Sequence, residues 1–355
     1  MAPDAPAYVM DGDWDTPYPG MLFEDLDVHR SMQAHFSDGV EWVDTPLFAR
    51  VSRNLSEGQI KWGCRTPDEY EQRLKNKIDP LYQSIQTDGF KSQVELDTGK
   101  PSDEIRIAID RTGRPLFVDG RHRLAIAKVL GLTSIPVRII LRHAEWVDFQ
   151  ESIWAHAKTA RNKVYQKIDH PDLAFFPAHH NDARFEMLKA SLGDYDPTGK
   201  TLIDIGTHWG HMCHKFEELG FECTAVELLK GVIPFLTGIR DANERDFHIW
   251  HGNIFDFPDV EDMNVVVAVN ILHHFCKTEE EHAKLVTLLQ RMRGADLMFF
   301  QPHKHDPPGQ MKDAYRNYPE DEFVNFVCEH TGFDQQIKLG VASDGRALYK
   351  LWRSA

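Results

Sequence analysis

No two cysteines in this sequence form a Cys-x-x-Cys pair. The five present, Cys64, Cys213, Cys223, Cys276 and Cys328, are scattered and odd in number. That excludes a zinc ribbon or a disulfide framework and fits a reducing compartment. Long apolar runs are missing too. The runs that occur are strand-sized, such as Val265 to Val269, far short of a bilayer span. The opening stretch, Met1 to Asp15, is acidic and lacks the basic-then-apolar order of a secretory signal. These absences imply a cytoplasmic protein with no membrane span. Positive charge is scarce: 40 Lys and Arg face 55 Asp and Glu, a formal net of -15. Phosphate-backbone binding needs a basic surface, so nucleic acid is not the expected partner. The deficit is steepest in residues 1–60, where eleven acidic residues face three arginines and no lysine. This segment is expected to be a solvated acidic extension. Its Pro, Tyr, Trp and Met residues offer points at which part of it packs on a domain.

What is present suits two domains in 355 residues. Thr66-Pro67-Asp68-Glu69 offers an N-cap, a proline at the first helical position and a capping-box glutamate. It predicts a helix to about Gln86, stopped by Asp88-Gly89. Strands are expected at Ile105 to Ile109, Pro115 to Val118 and Ile135 to Leu141, and a helix over Arg123 to Leu130. This makes residues 61–145 a mixed α/β domain. Residues 146–195, rich in aromatics, are expected to be a helical connector through which substrate enters. From Lys200 the pattern becomes a strand-helix alternation, with strands at Thr201–Ile205, Cys223–Glu227, His248–Trp250, Val265–Val269 and Leu297–Gln301. Such alternation implies a parallel sheet covered on both faces. A second capping box, Thr278 to Glu281, opens a helix to about Arg293. Ser343-Asp344-Gly345 then closes a terminal β-hairpin, Ile337–Ala342 with Arg346–Trp352.

Leu202 to Gly210 reads as a buried strand, a turn and a helix start. Gly206 can take positive φ and bring bare backbone to a ligand. Gly210 sits where free helix N–H groups begin. Glu227, ending the second strand, can accept both hydroxyl protons of a ribose. Ligands bind beyond the carboxyl ends of strands in open α/β sheets.

On these residues, the chain from about 165 onward resembles class I S-adenosylmethionine-dependent methyltransferases. The resemblance implies a Rossmann-like α/β domain over 196–355, a seven-stranded sheet ending in the antiparallel hairpin. It assigns Asp204, Gly206, Thr207, His208, Gly210 and Glu227 to S-adenosyl-L-methionine. Asn253 and Ile254 fall where the family usually has a Gly-Asp pair near the adenine, and Asn270 in the fourth-motif segment. An amide at 253 can still donate and accept at a purine edge. His208 replaces a common middle glycine. No Asp/Asn-Pro-Pro-aromatic motif follows the fourth strand; Asp306-Pro307-Pro308-Gly309 lacks the aromatic and comes too late. Its absence disfavours a flipped DNA base as substrate. The acceptor is therefore expected to be a small molecule or glycan-like. An oxygen acid needs a base, and among nineteen histidines His274 and His303, near the fourth and fifth strand ends, are the catalytic candidates. Proximity alone remains an alternative. His208, His211 and His214 recur every three residues, which rotates His214 away from His208, so no metal is expected.

Asp119-Gly120-Arg121-His122-Arg123 runs from a strand into a helix. A helix N-terminus beside basic side chains suits an anion, or is an ordinary basic helix start. With Leu81 to Gly89, Ala127 to Gly131 and Ile135-Pro136-Val137, this stretch resembles the ParB/sulfiredoxin fold over about 75–142. The resemblance implies a smaller α+β domain that binds nucleotide phosphates, ATP or CTP with Mg, through Asp119, Gly120, Arg121, His122 and Arg123. Arg121 stands where sulfiredoxins have cysteine, and no helix-turn-helix follows, which departs from both namesakes. Three readings therefore stand beside the methyltransferase one: an N-terminal kinase or nucleotide hydrolase, a non-enzymatic binding protein, and a nicotinamide dehydrogenase. The last expects a tighter GxGxxG.

Overall fold

The computed structural model describes residues 7–16, 22–96, 103–305, 309 and 311–354. The chain divides into two compact units, 1–148 and 149–355. Among the described residues no helix is long and apolar enough to cross a membrane.

In the first unit, α1 (Asp27–Phe36), α2 (Pro46–Ser56), α3 (Pro67–Asp88) and α4 (Arg121–Val129) gather around one core. α3 begins as its capping box predicts: Thr66 Oγ1 accepts from the Glu69 amide at 3.2 Å, while Glu69 accepts from the Arg65 amide at 2.7 Å. Its Tyr70, Leu74, Ile78 and Ile85, spaced for one face, are buried. Residues 22–56 differ from the expected solvated extension. Val28 and Met32 of α1 and Leu47, Val51 and Leu55 of α2 are buried with Trp42 in that core. The apolar residues of those helices outweigh the acidic net charge, which lies on their outer faces. A four-stranded sheet, order β1-β4-β2-β3, completes the unit: β1 (Tyr8–Met10), β2 (Arg106–Ile109), β3 (Pro115–Asp119) and β4 (Arg138–His143). β4 starts at Arg138 rather than Ile135, because Pro136 has no N–H for a ladder. α4 starts two residues before the expected Arg123, where Gly120 caps it with φ 95°.

The second unit receives the chain through α5 (Ala144–Thr159). The expected helical connector also contains a small parallel ladder, β5 (Val164–Gln166) with β6 (Ala178–His180), before α6 (Ala183–Leu192). A seven-stranded sheet follows, built from β7 (Thr201–Ile205), β8 (Glu222–Glu227), β9 (His248–His251), β10 (Val265–Val269), β11 (Leu297–Gln301), β12 (Gln335–Val341) and β13 (Ala347–Trp352). The order is β12-β13-β11-β10-β7-β8-β9, and only β13 runs against the rest. Period-two alternation splits each strand between two cores. Leu202, Val265, Val267, Leu297 and Phe299 face α6, α7 (His211–Glu217) and α8 (Ile233–Ala242). Ile203, Ile205, Val266, Ala268, Met298 and Phe300 face α9 (Glu279–Arg291) and α10 (Glu320–Thr331). The order steps outward in both directions from β7 and β10. Their carboxyl ends are therefore where the topology switches, the usual place for a ligand in an open α/β sheet.

Candidate functional site

β7 alternation sends Asp204 to the same face as Leu202, where it is 4% exposed. Burial pushes its carboxyl up to about 6, against a Thr207 hydrogen bond and the nearby His211, while Glu227 adds to the rise. The chain then reverses through three left-handed residues: Gly206 (φ 71°), His208 (φ 57°) and Gly210 (φ 81°), which caps α7. A side chain at Gly210 would meet Leu236 Cδ1 at 2.7 Å. At Gly206 it would meet Ile271 Cδ1 at 2.9 Å, so the space expected to be bare peptide is taken by an isoleucine methyl. The Gly206 and Thr207 amides both donate to the Val226 carbonyl, at 2.9 and 3.1 Å. Buried Glu227, ending β8, accepts from the His208 amide at 2.9 Å and the Leu229 amide at 2.8 Å. Each of its oxygens retains a second lone pair for a hydroxyl.

Asn270, after β10, also has positive φ (62°). Its Nδ2 donates to the Tyr165 hydroxyl at 3.2 Å, and its Oδ1 is buried with no partner among the described residues. The Tyr165 ring lies 5.0 Å from both His208 and His180. Burial pushes His208 down to about 4, so it is a neutral ring at pH 7. Tyr165, His208 and Asn270 thus join the segment before the sheet to the ends of β7 and β10. Tyr165 was not singled out in the sequence; only its place in an aromatic-rich stretch hinted at it. Asn253 is committed locally, its Oδ1 accepting from the Phe255 amide at 3.1 Å. The side chain of Ile254 packs in the apolar core.

Of the two histidine candidates, His303 is the more buried, at 5% exposed. Its Nε2 lies 2.7 Å from Asn317 Oδ1. An acceptor there places the ring proton on Nε2 and leaves Nδ1, buried with no partner among the described residues, as a free lone pair. Burial lowers its pKa, with the Asn317 bond acting the other way. His274 is likewise lowered by burial and packs on His273, ring centroids 4.2 Å apart. His211 lies between Asp169 (3.1 Å) and Asp182 (3.6 Å), and the three could supply ligand atoms within 4.8 Å of one another. Lys215 and Lys167 already neutralise those carboxylates, at 3.1 and 2.7 Å. The sequence also passed over Arg184, 4% exposed at the start of α6, and Arg346 in the β12–β13 turn. Nothing in their spacing, 162 positions apart, could have joined them.

The Asp119–Arg123 turn is self-contained. A Cβ on Gly120 would lie 2.8 Å from the Ile105 Cα. Arg123 is buried and donates to the Lys91 carbonyl, to the Asp103 carbonyl and to Glu104, with its guanidinium 4.4 Å from the Phe90 ring. Asp119 pairs with Arg106 and accepts from the Gly120 amide. His122 stacks on Trp62 at 5.3 Å, and burial pushes it down to about 4. Arg121 remains exposed. Asp306 to Pro308 lie outside the described residues.

No family model matches the chain, and no curated protein does. Among solved structures, it is similar to the bifunctional kinase-methyltransferase WbdD, at 14% identity over 56% of this chain and 46% of that one, TM-score 0.44. The PH0226 protein from Pyrococcus horikoshii OT3 aligns at 15% identity over 54% of this chain and 95% of that one, TM-score 0.38. Magnesium protoporphyrin IX methyltransferase (ChlM) from Synechocystis PCC 6803, with bound SAM, aligns at 15% identity over 49% and 79%, TM-score 0.37. The chain spans less than half the length of the WbdD chain it matches.

Proposed function

We propose that residues 149–355 bind S-adenosylmethionine and transfer its methyl group to a small-molecule or glycan-like acceptor. The observation that carries this reading is the meeting, at the carboxyl ends of β7, β8 and β10, of a left-handed glycine loop, a buried glutamate tied to that loop, and Asn270. The residues fit a nucleoside. Glu227 keeps lone pairs for two ribose hydroxyls while its backbone bonds hold the loop in place. Ile271 Cδ1 is the far end of a rotatable side chain, so a rotamer change clears Gly206. S-adenosylmethionine, when bound, supplies a methyl group on a sulfonium. The chain's own part is to orient the acceptor and take its proton. His303 suits that step because Nδ1 carries a free lone pair and burial keeps the ring neutral at pH 7.

Isothermal titration with S-adenosylmethionine tests the reading. Binding is expected in the full chain. Gly206→Val combined with Glu227→Ala should abolish it, and Glu227→Gln, which can keep one of the two backbone bonds, should weaken it. Undiminished affinity in the double variant refutes the assignment.

A further inference from the structure

Buried arginines are normally saturated, because a buried N–H without a partner loses its hydration and gains nothing in return, the more so when charged. This chain supplies its own standards. Arg123 donates to two carbonyls and a carboxylate. Even Arg353, only half-buried, donates to the carbonyls of Ala295 and Thr331. Arg184 breaks the pattern. It is more buried than Arg123, at 4% against 9% exposed, yet makes one side-chain contact, Nη2 to Asp344 Oδ2 at 2.5 Å. Its Nε and Nη1 are buried with no partner among the described residues.

Arg346 approaches the same carboxylate oxygen, Nε to Asp344 Oδ2 at 3.8 Å, and its Nη1 is also buried and unpartnered. Two guanidiniums therefore share one carboxylate, leaving one positive charge and three nitrogens unmatched. Among the described residues neither guanidinium pairs with another carboxylate. His180, His274 and His303 all feel the Arg346 charge, which helps hold their rings neutral. Gln301, fully buried at the end of β11, donates to the Arg346 carbonyl at 3.5 Å and fixes the turn beside the strand ends. Tyr165 links this cluster, through His180, to His208 and Asn270.

We propose that Arg184 and Arg346 form a subsite for an oxyanion, a phosphate or carboxylate group carried by the acceptor, beside His303. Guanidinium forks match either group, and the unmatched charge and donors disappear when it binds. The partly exposed Arg346 side chain, 17% accessible, gives the subsite its route to solvent. The acceptor's role rests on the methyltransferase reading; the anion site itself does not.

The test is calorimetric titration of the full chain, in chloride buffer, with inorganic phosphate and separately with acetate. Saturable binding of either probe is expected, and the stronger one identifies the group. Arg346→Gln should weaken it about tenfold or more, with Arg346→Lys in between. Arg346→Gln alters a partly exposed turn, so a preserved melting temperature separates it from unfolding; Arg184→Gln is the second variant. Absence of saturation by both probes, or unchanged affinity in both glutamine variants, overturns the proposal. Titration of the same samples with S-adenosylmethionine keeps the two readings apart. Anion binding without cofactor binding upholds the subsite and sinks the methyltransferase assignment, whereas cofactor binding without anion binding does the reverse.

Discussion

Two strand-glycine-helix turns in this chain look alike as sequence, Asp119 to Arg123 and Asp204 to Gly210, and differ in what they leave unpaired. At the first, Arg123, Asp119 and Gly120 are consumed by the chain itself: carbonyls, Glu104, Arg106 and the Ile105 backbone, with Arg106 Nε buried and unpartnered among the described residues. At the second, the loop is also held internally, but around it Asn270 Oδ1, His303 Nδ1 and three arginine nitrogens are buried without partners among the described residues. A buried polar group that is satisfied stabilises a fold; one left open marks a position a ligand can complete. In our proposal the second turn is part of a site; the contacts of the first are mostly made within the chain.

The sharpest test of that contrast is the same substitution at both turns. Gly120→Ala forces a Cβ against a backbone carbon that cannot rotate away, at φ 95°. A loss of about 4 kcal/mol is expected from the left-handed strain and the overpacking together. Gly206→Ala has similar strain at φ 71° but meets only side-chain atoms of Ile271, Cδ1 at 2.9 Å and Cγ1 at 3.1 Å, which a rotamer change can move, so about 1–2 kcal/mol is expected. Urea denaturation measures both. Equal losses would erase the distinction between a wall of backbone and a movable side chain.

Next comes the arginine pair. Arg123→Ala strands Glu104 and two carbonyls in a buried setting, and a loss of about 3 kcal/mol is expected. Arg346→Gln, one contact on a partly exposed side chain, should cost about 1 kcal/mol or less. Amide exchange in α3 and α4 reads the first unit alone. If Arg123→Ala leaves their protection unchanged, that arginine is free for another role, and the nucleotide reading of residues 61–145 regains its footing.

How far the sequence was legible follows from which forces were local. The capping box at Thr66 and the strand periods from Thr201 to Gln301 depend on neighbours in sequence, and they read through. Residues 22–56 did not, because their acidic average concealed the helical spacing of Val28, Met32, Leu47, Val51 and Leu55. The ladder at Val164 and Ala178 is three residues long on each side, too short for a period to show. Within the site, the glycines and Glu227 carry local signatures. Arg184, Arg346 and Asp344 become neighbours only when the hairpin folds back beside α6, so no spacing announces them. The Ile271 methyl over Gly206 is likewise a tertiary fact.

The last contrast distinguishes the turns by the sign of their pH dependence. Asp204 titrates near 6 in the folded chain against about 3.9 unfolded. Its raised pKa favours the folded state while the acid is protonated, so that contribution is lost as pH rises through the folded value. Between pH 4 and 7 the native chain should lose about 2 kcal/mol more than Asp204→Asn. His122 runs the other way. Burial, with Arg121 adding and Asp119 opposing, places it near 4 against about 6.5 unfolded. The unfolded chain therefore takes up the proton first, and stability falls as pH drops below 6.5. From pH 7 to 5 the native chain should lose between about 1 and 2 kcal/mol more than His122→Phe, which keeps the ring stacked on Trp62. Urea midpoints at the two pH values decide it. A His122→Phe curve parallel to the native one would mean that the imidazole is as solvated folded as unfolded, and that the turn is open enough to receive an anion after all.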